Sequence, residues 1–150
     1  MKICADENVA PKLSALICEQ LLSRPHTLQT VDDFQAAGVE DVIWVKKFAE
    51  QGGDAIIGGD MAMTRRPTEL IAIIESGLRL VVLDQRWPRV PKNVQISYLF
   101  YWWPEIERVL ASAPTGKCFK VPWGWPEKIS GAIKLIPVDV QGAYKKMRSN

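Results

Sequence analysis

Three short, mostly apolar runs that each end in an aspartate constrain the fold of this chain more than any other feature. The first run, MKICA, is followed by Asp6, and the second, AIIGG, by Asp60. A third, LRLVVL, is followed by Asp84. Runs of this kind are typical of strands that are covered on both faces. We therefore predict a buried, mostly parallel sheet with the three aspartates at the carboxyl ends of its strands.

Amphipathic segments separate these runs. Pro11 suits the first turn of a helix, and apolar residues then recur at helical spacing to about Leu22. A second helix follows Asp41 and ends at the Gly52-Gly53 pair, and a third, ELIAIIESG, ends at its last glycine. Alternating strands and helices form crossovers around a parallel sheet. The sequence thus predicts an α/β fold in which helices flank both faces of a central, mostly parallel sheet.

The remaining segments are less regular. The stretch from Arg24 to Thr30 predicts a short second strand, and the following VDDFQAAG predicts a loop or a short turn of helix. Beyond Asp84, an aromatic run predicts a helix from about Pro104, and the segments FKVPW and AIKLIPV predict a short hairpin. The 150 residues are expected to form one domain, with a core over about 1–110 and an aromatic-rich C-terminal extension over about 111–150.

Cysteine and histidine usage excludes several classes of site. Cys4, Cys18 and Cys118 form no CxxC pair and are odd in number, so we expect a reducing compartment and three buried thiols. His26 is the one histidine, too few for a His-based zinc site or a Ser/His/Asp triad. The chain has no apolar run long enough for a membrane span, and its N-terminus reaches acids too early for a signal peptide. We expect a cytoplasmic protein whose chemistry depends on carboxylates.

Charge is divided unevenly along the chain. Residues 1–75 contain 7 Lys/Arg and 12 Asp/Glu, whereas residues 76–150 contain 12 Lys/Arg and 5 Asp/Glu. The asymmetry indicates an acidic site in the first half and a face for polyanions such as nucleic acid in the second, although solvated surface charge produces similar imbalances.

Asp6, Asp41 and Asp60 are the strongest candidates for a metal site. Asp6 and Asp60 end strands, and Asp41 opens a helix that should return to the same edge. Carboxylates without His or Cys are typical ligands of Mg²⁺ or Mn²⁺, which can activate water for attack on a phosphodiester. Two alternatives stay open: Asp6 and Asp60 only cap helices and strand ends, or Asp60 is the phosphorylated residue of a receiver domain. The receiver alternative lacks a convincing lysine at the end of a fifth strand.

The strings ADENVAPKLSALI and EDVIWVKKFAEQGGDAIIGGD, followed by a helix and LRLVVLD, resemble the PIN-like nucleases. The resemblance is to the small subgroup whose first strand ends in Asp-Glu-Asn, and it covers about residues 1–85. It implies a PIN-like three-layer sandwich with the activity of a Mg²⁺- or Mn²⁺-dependent endoribonuclease. The family's catalytic and metal-binding roles fall on Asp6, Asp41 and Asp60, and supporting roles fall on Glu7, Glu40 and Asp84.

The resemblance also implies partners, and the sequence departs from the family pattern at the third acid. Many relatives are VapC-type toxins held inactive by a cognate antitoxin, which implies RNA and an antitoxin protein as partners. Relatives commonly show Thr-x-Asp-x-Asp-Phe at the third acid, where this chain has Gly58 and Ala62 in place of the Thr and the second Asp. Thr64 is a candidate to replace the hydroxyl. The alternative function is therefore a catalytically weakened module that binds RNA or a protein through its Trp-rich C-terminal part.

Basic and aromatic residues suggest how a substrate is bound. Arg65 and Arg66 follow Asp60 closely and are candidates to bind phosphate or RNA, or else they are solvated residues at a helix entry. Tryptophans after Asp84 either stack on unpaired bases or form a core or a protein interface, such as that of a homodimer. These tryptophans are Trp87, Trp102, Trp103, Trp123 and Trp125.

Overall fold

The computed structural model of the chain describes residues 1–34, 40–124 and 135–149. The strands in these ranges are β1 (Lys2–Ala5), β2 (Thr27–Thr30), β3 (Ala55–Gly58), β4 (Arg79–Val82), β5 (Cys118–Lys120) and β6 (Ile136–Pro137). The helices are α1 (Pro11–Gln20), α2 (Val31–Phe34), α3 (Asp41–Glu50), α4 (Ala62–Arg65), α5 (Pro67–Glu75), α6 (Lys92–Ser112) and α7 (Gln141–Arg148). Residues Trp87–Arg89 form a short 3-10 turn.

The described strands form one sheet in the order β2-β1-β3-β4-β5-β6. All neighbours from β2 to β5 are parallel, with Cys4 beside Ile56 and Ile57 beside Val81, and β6 runs antiparallel to β5. The predicted α/β fold is therefore confirmed. The predicted hairpin is also present as β5 and β6, although residues 125–134 between them lie outside the described ranges.

Side chains of the strands alternate between two apolar layers. Ile3 and Ala5 belong to one buried cluster together with residues of α1 and α6. Cys4 and Ile56 belong to the other, together with residues of α3 and α5. Alternation of this kind follows from the two-residue period of a strand. Because each buried aliphatic side chain contributes about 1.5–3 kcal/mol, the two layers hold the strand ends in fixed positions.

The long helix α6 corrects one prediction. It begins at Lys92, so a helix that starts at about Pro104 was wrong. A proline inside a helix removes a backbone hydrogen bond and costs about 3 kcal/mol. Pro104 is exposed, and buried residues on both sides of it, including Trp103 and Ile106, anchor both parts of the helix in the core. Apolar packing therefore outweighs the local preference.

The cysteines and the C-terminal segment differ in part from expectation. Cys4 and Cys118 are buried as predicted, but Cys18 is exposed. Cys18 comes directly after Ile17, which faces the core, and its side chain is therefore rotated by about 100° around α1 from that buried side.

Residues beyond 110 contribute β5 and β6 to the sheet, and they also form α7, which packs on α5. Among the described residues, no helix is long and apolar enough to cross a membrane.

Candidate functional site

The sheet places Asp6 and Asp60 on either side of the point where its strand order reverses. β1 lies between β2 and β3, so the helices that follow β1 and β3 lie on opposite faces of the sheet. Asp6 directly follows β1, and Gly59 and Asp60 directly follow β3. In open α/β sheets, ligands bind in the crevice beyond the strand ends at such a reversal. This crevice is therefore the candidate functional site.

Asp6 is a buried carboxylate fixed by backbone donors. Its side chain belongs to a residue that is 4% exposed, and its Oδ1 accepts hydrogen bonds from Asn8 N at 3.0 Å and Gly59 N at 2.9 Å. A Cβ on Gly59 would lie 2.7 Å from the backbone carbon of Asn8, so only glycine fits there. Burial raises the pKa of Asp6 to about 6, and the charge of Asp60 adds to the rise.

Asp60 lies within electrostatic range of Asp6 and is half-buried. Its Oδ1 accepts a hydrogen bond from Ala62 N at 2.7 Å, a local bond of the kind that caps a helix entry. The local bond from Asn8 to Asp6 has the same character. The bond from Gly59 to Asp6 is different, because it joins the ends of two neighbouring strands. The capping alternative thus accounts for the local bonds of both carboxylates and leaves the bond between the two strand ends unexplained.

Asp41 lies in a second acidic group that sequence reasoning missed in part. Its Oδ1 accepts a hydrogen bond from Trp44 Nε1 at 2.8 Å, and its Oδ2 lies 3.6 Å from Arg66 Nη1. The same Arg66 nitrogen lies 2.9 Å from Glu69 Oε1. Glu69 is buried, and no donor among the described residues is hydrogen-bonded to its Oε2. Burial raises the pKa of Glu69, with the Asp41 charge adding to the rise.

Glu69 could have been noticed from its place in the sequence. It lies three residues after Arg66 in the first turn of α5, the spacing that allows an ion pair on a helix. Arg66 was predicted to bind phosphate, and the structure instead pairs it with Glu69 and Asp41. It lies within electrostatic range of Asp60 as well. Arg66 therefore lies near both the Asp6 and Asp60 pair and the acidic group of Asp41 and Glu69.

Asp84 forms ion pairs with two cations, Arg86 and Lys120. Its carboxylate lies 2.8 Å from Arg86 Nε and 3.4 Å from Lys120 Nζ. The hydrogen bonds from Arg86 lower the pKa of Asp84 to about 2. Lys120 does end a fifth strand, contrary to the expectation from sequence, but it pairs with Asp84 and not with Asp60. The other supporting acids, Glu7 and Glu40, are exposed.

The fit of a divalent cation depends on Asp6 and Asp60. Within the described ranges, no three His, Cys, Asp or Glu side chains are grouped so that they could hold a metal ion. Mg²⁺ often binds one or two carboxylates and completes its shell with waters and substrate phosphates. The buried charge of Asp6 beside Asp60 is the kind that a cation would compensate. The donor chemistry of this pair therefore fits such an ion, whereas Asp41 is ion-paired with Arg66.

The departure at Gly58 removes a side chain from a closely packed position, where a Cβ would lie 3.1 Å from Val82 Cγ1. A Cβ on Gly58 would lie 3.5 Å from Asp6 Oδ2, so a side chain at this position would contact the carboxylate. Thr64 does not take over this role, because its hydroxyl donates to the Met61 carbonyl at 2.7 Å. The crevice therefore lacks a hydroxyl from either residue next to Asp6.

The tryptophans divide into core and partly exposed residues. Trp87, Trp102 and Trp103 are each no more than 2% exposed, so they form core and cannot stack on RNA. Trp123 is half-buried, with Tyr98 at 5.3 Å and Arg86 at 5.2 Å from its ring. Trp125 lies outside the described residues. These three buried rings therefore contribute nothing to a surface on which RNA bases could stack.

Comparison with known proteins gives one match. A family model described as a PIN like domain matches residues 1–85, which include Asp6, Asp41 and Asp60. No match was found among curated proteins or among solved structures. PIN-like domains are typically nucleases, a class of hydrolase, and generally use divalent metal ions. Because the match covers more than half of the chain, this protein belongs to the PIN-like domain family.

Proposed function

We propose that this protein is a Mg²⁺- or Mn²⁺-dependent endoribonuclease that acts in the crevice between the ends of β1 and β3. The observation that carries the proposal is the pair formed by the buried Asp6 carboxylate and Asp60. Two carboxylates held together in this way repel each other unless a proton or a cation lies between them. The match to PIN-like domains supports the choice of nuclease chemistry.

Each acid has a distinct part in this proposal. Asp6 and Asp60 hold the ion, and Asp41 joins them when its carboxylate is free of Arg66. A bound ion of this type lowers the pKa of water and offsets charge on a phosphodiester. Asp6 is suited to its role because the backbone N–H groups of Asn8 and Gly59 fix its Oδ1.

Cleavage of RNA by the purified protein tests this function. A mixed-structure RNA is incubated with Mg²⁺, with Mn²⁺ and with EDTA, using wild type, Asp6→Asn and Asp60→Asn. The matched control is Glu19→Gln, which removes an exposed charge at the opposite edge of the sheet. We expect cleavage by wild type and by the control only when metal is present, and none by the two site variants. Full activity of Asp6→Asn, or cleavage in EDTA, contradicts the proposal.

A second candidate is a PIN-like module that binds RNA or a protein without cutting. It is favoured by the ion pair between Arg66 and Asp41, which occupies the third predicted ligand. Thermal unfolding with and without Mn²⁺ separates the two candidates, since an ion that binds only the folded state raises Tm. A Tm that Mn²⁺ leaves unchanged, together with intact RNA, favours the binding module.

We further propose that the protein is a cytoplasmic toxin controlled by an antitoxin protein. The support is the match to PIN-like domains, since many relatives in that family are VapC-type toxins held inactive by an antitoxin. Induced expression should stop growth of the host cell, and Asp6→Asn should relieve the arrest. Co-expression with the product of an adjacent gene, followed by size-exclusion chromatography, tests both the antitoxin and a homodimer. Normal growth under expression of the wild type counts against the toxin role.

A further inference from the structure

A small pocket adjoins the acidic crevice on the side of Asp60. It has a volume of about 260 Å³. The walls come from the end of β3, from α4 and from the 3-10 turn that follows β4. Its lining includes Asp60, Met61, Arg65, Gln85, Pro88 and Arg89. Asp60 therefore contributes both to the crevice and to the wall of the pocket.

The pocket carries two cations that the fold does not use. Arg65 and Arg89 are exposed, and neither forms an ion pair with any residue in the described ranges. Gln85 Oε1 accepts a hydrogen bond from Arg65 Nη2, which orients one guanidinium along the wall. The neighbouring Arg66 and Arg86 are different, because both are paired with acids. The free positive charge beside Asp60 thus comes from Arg65 and Arg89.

The chemistry of these groups favours a phosphate. A guanidinium presents a planar set of donors that matches two phosphate oxygens, and it stays charged at every working pH. Two unpaired guanidinium groups on one small pocket would repel each other less with an anion between them. Asp60 on the pocket wall repels any anion, so the ligand must accept hydrogen bonds from both guanidinium groups, as the non-bridging oxygens of a phosphate can.

We propose that this pocket binds the backbone phosphate adjacent to the scissile one on the same RNA strand. The inference rests on the proposed function for the position of the scissile phosphate at Asp6 and Asp60. It deepens that function, because a substrate must then carry a phosphate next to the linkage that is cut. Arg65 and Arg89 are positioning residues, and Arg89 lies beyond residues 1–85 of the family match. The substrate class is thus an internal linkage of a polynucleotide.

Binding of a short single-stranded RNA, measured by fluorescence anisotropy in EDTA, tests the pocket without cleavage. We compare the wild type with Arg65→Gln, Arg89→Gln and the double variant. The control Arg24→Gln removes one charge at the opposite edge of the sheet. Each single variant should raise Kd by about tenfold, the lower end of the range for a hydrogen bond to a charged group. In the double variant, the slope of log Kd against log salt should fall by about 0.7, the value for one phosphate of a single strand.

Three results overturn the proposal. They are an unchanged salt slope in the double variant, an equal loss of affinity in Arg24→Gln, and a wild type that does not bind the RNA. Cleavage in Mg²⁺ is measured in parallel on the same variants. If the wild type binds through Arg65 and Arg89 but never cuts, the nuclease proposal fails while the phosphate pocket stands. If it cuts and the arginine variants bind normally, the pocket fails alone.

Discussion

Replacing the buried Asp6 by asparagine should stabilise the metal-free protein. Burial raises the pKa of Asp6 from 3.8 to about 6. At about 1.4 kcal/mol per unit of pKa, the ionised carboxylate therefore costs the fold about 3 kcal/mol at neutral pH. Asparagine keeps an oxygen to accept the hydrogen bonds from Asn8 and Gly59 and carries no charge to repel Asp60. For a chain of this length, a gain of about 3 kcal/mol raises Tm by about 6–12 °C.

The sign of the pH dependence follows from the direction of the shift. The folded protein holds the Asp6 proton more tightly than the unfolded chain does. The contribution of Asp6 to the free energy of unfolding of the wild type is therefore greatest below pH 3.8. That contribution is lost as pH rises to about 6. The advantage of Asp6→Asn should therefore be largest near neutral pH and shrink as pH falls through this window.

Urea unfolding in EDTA at several pH values measures this difference directly. The control is Glu19→Gln, whose side chain is exposed, and which should match the wild type throughout. A variant Asp6→Asn that is no more stable than the wild type at neutral pH refutes the reasoning. A gain that does not vary with pH refutes it as well, since the stabilisation would then not come from titration of Asp6.

Three further predictions concern other parts of the fold. Gly59→Ala should lower the free energy of unfolding by about 1–3 kcal/mol, because its Cβ would collide with Asn8, and urea unfolding measures the loss. Asp84→Asn should lower the free energy of unfolding at neutral pH by about 1–2 kcal/mol, since water screens the exposed Arg86; because the hydrogen bonds from Arg86 lower the pKa of Asp84 to about 2, the loss should disappear as pH falls from about 4 to 2. Cys18 should be the one thiol that reacts quickly with Ellman's reagent in the folded protein, and all three should react after denaturation.

The strands that carry the site were predictable because their pattern is simple. An apolar run that stops at an aspartate fixes both a buried strand and the edge at which the acid lies. Parallel crossovers then bring Asp6 and Asp60 to the same edge whatever the details of the helices. Helix α6 was less predictable, because the contribution of buried aromatic side chains outweighs the cost of Pro104 only once the sheet is in place. Helix α7 has a single buried residue, Ala143, and thus almost no apolar signal in the sequence.

The partners of charged side chains were the least predictable feature. An exposed arginine can pair with any acid within reach of its long side chain, and the pairs differ little in free energy. The sequence places Arg65 and Arg66 side by side, yet the structure pairs Arg66 with Glu69 and turns Arg65 toward Gln85. This difference decides which arginine is available for phosphate. It depends on the geometry of α4 and α5, which local sequence does not specify.

The pairing of Arg66 leads to a last prediction about metal affinity. Arg66 lies 3.6 Å from Asp41 and is 61% exposed, so water screens the attraction between the two charges. If Asp41 is the third ligand, Arg66 competes with the ion for its carboxylate. Arg66→Gln should then tighten Mn²⁺ binding, as measured by calorimetry without RNA, whereas the control Lys47→Gln, which removes a cation from the helix of Asp41, should not. Weaker or unchanged binding in Arg66→Gln would show that Asp41 contributes nothing to the ion and that Asp6 and Asp60 act as a pair.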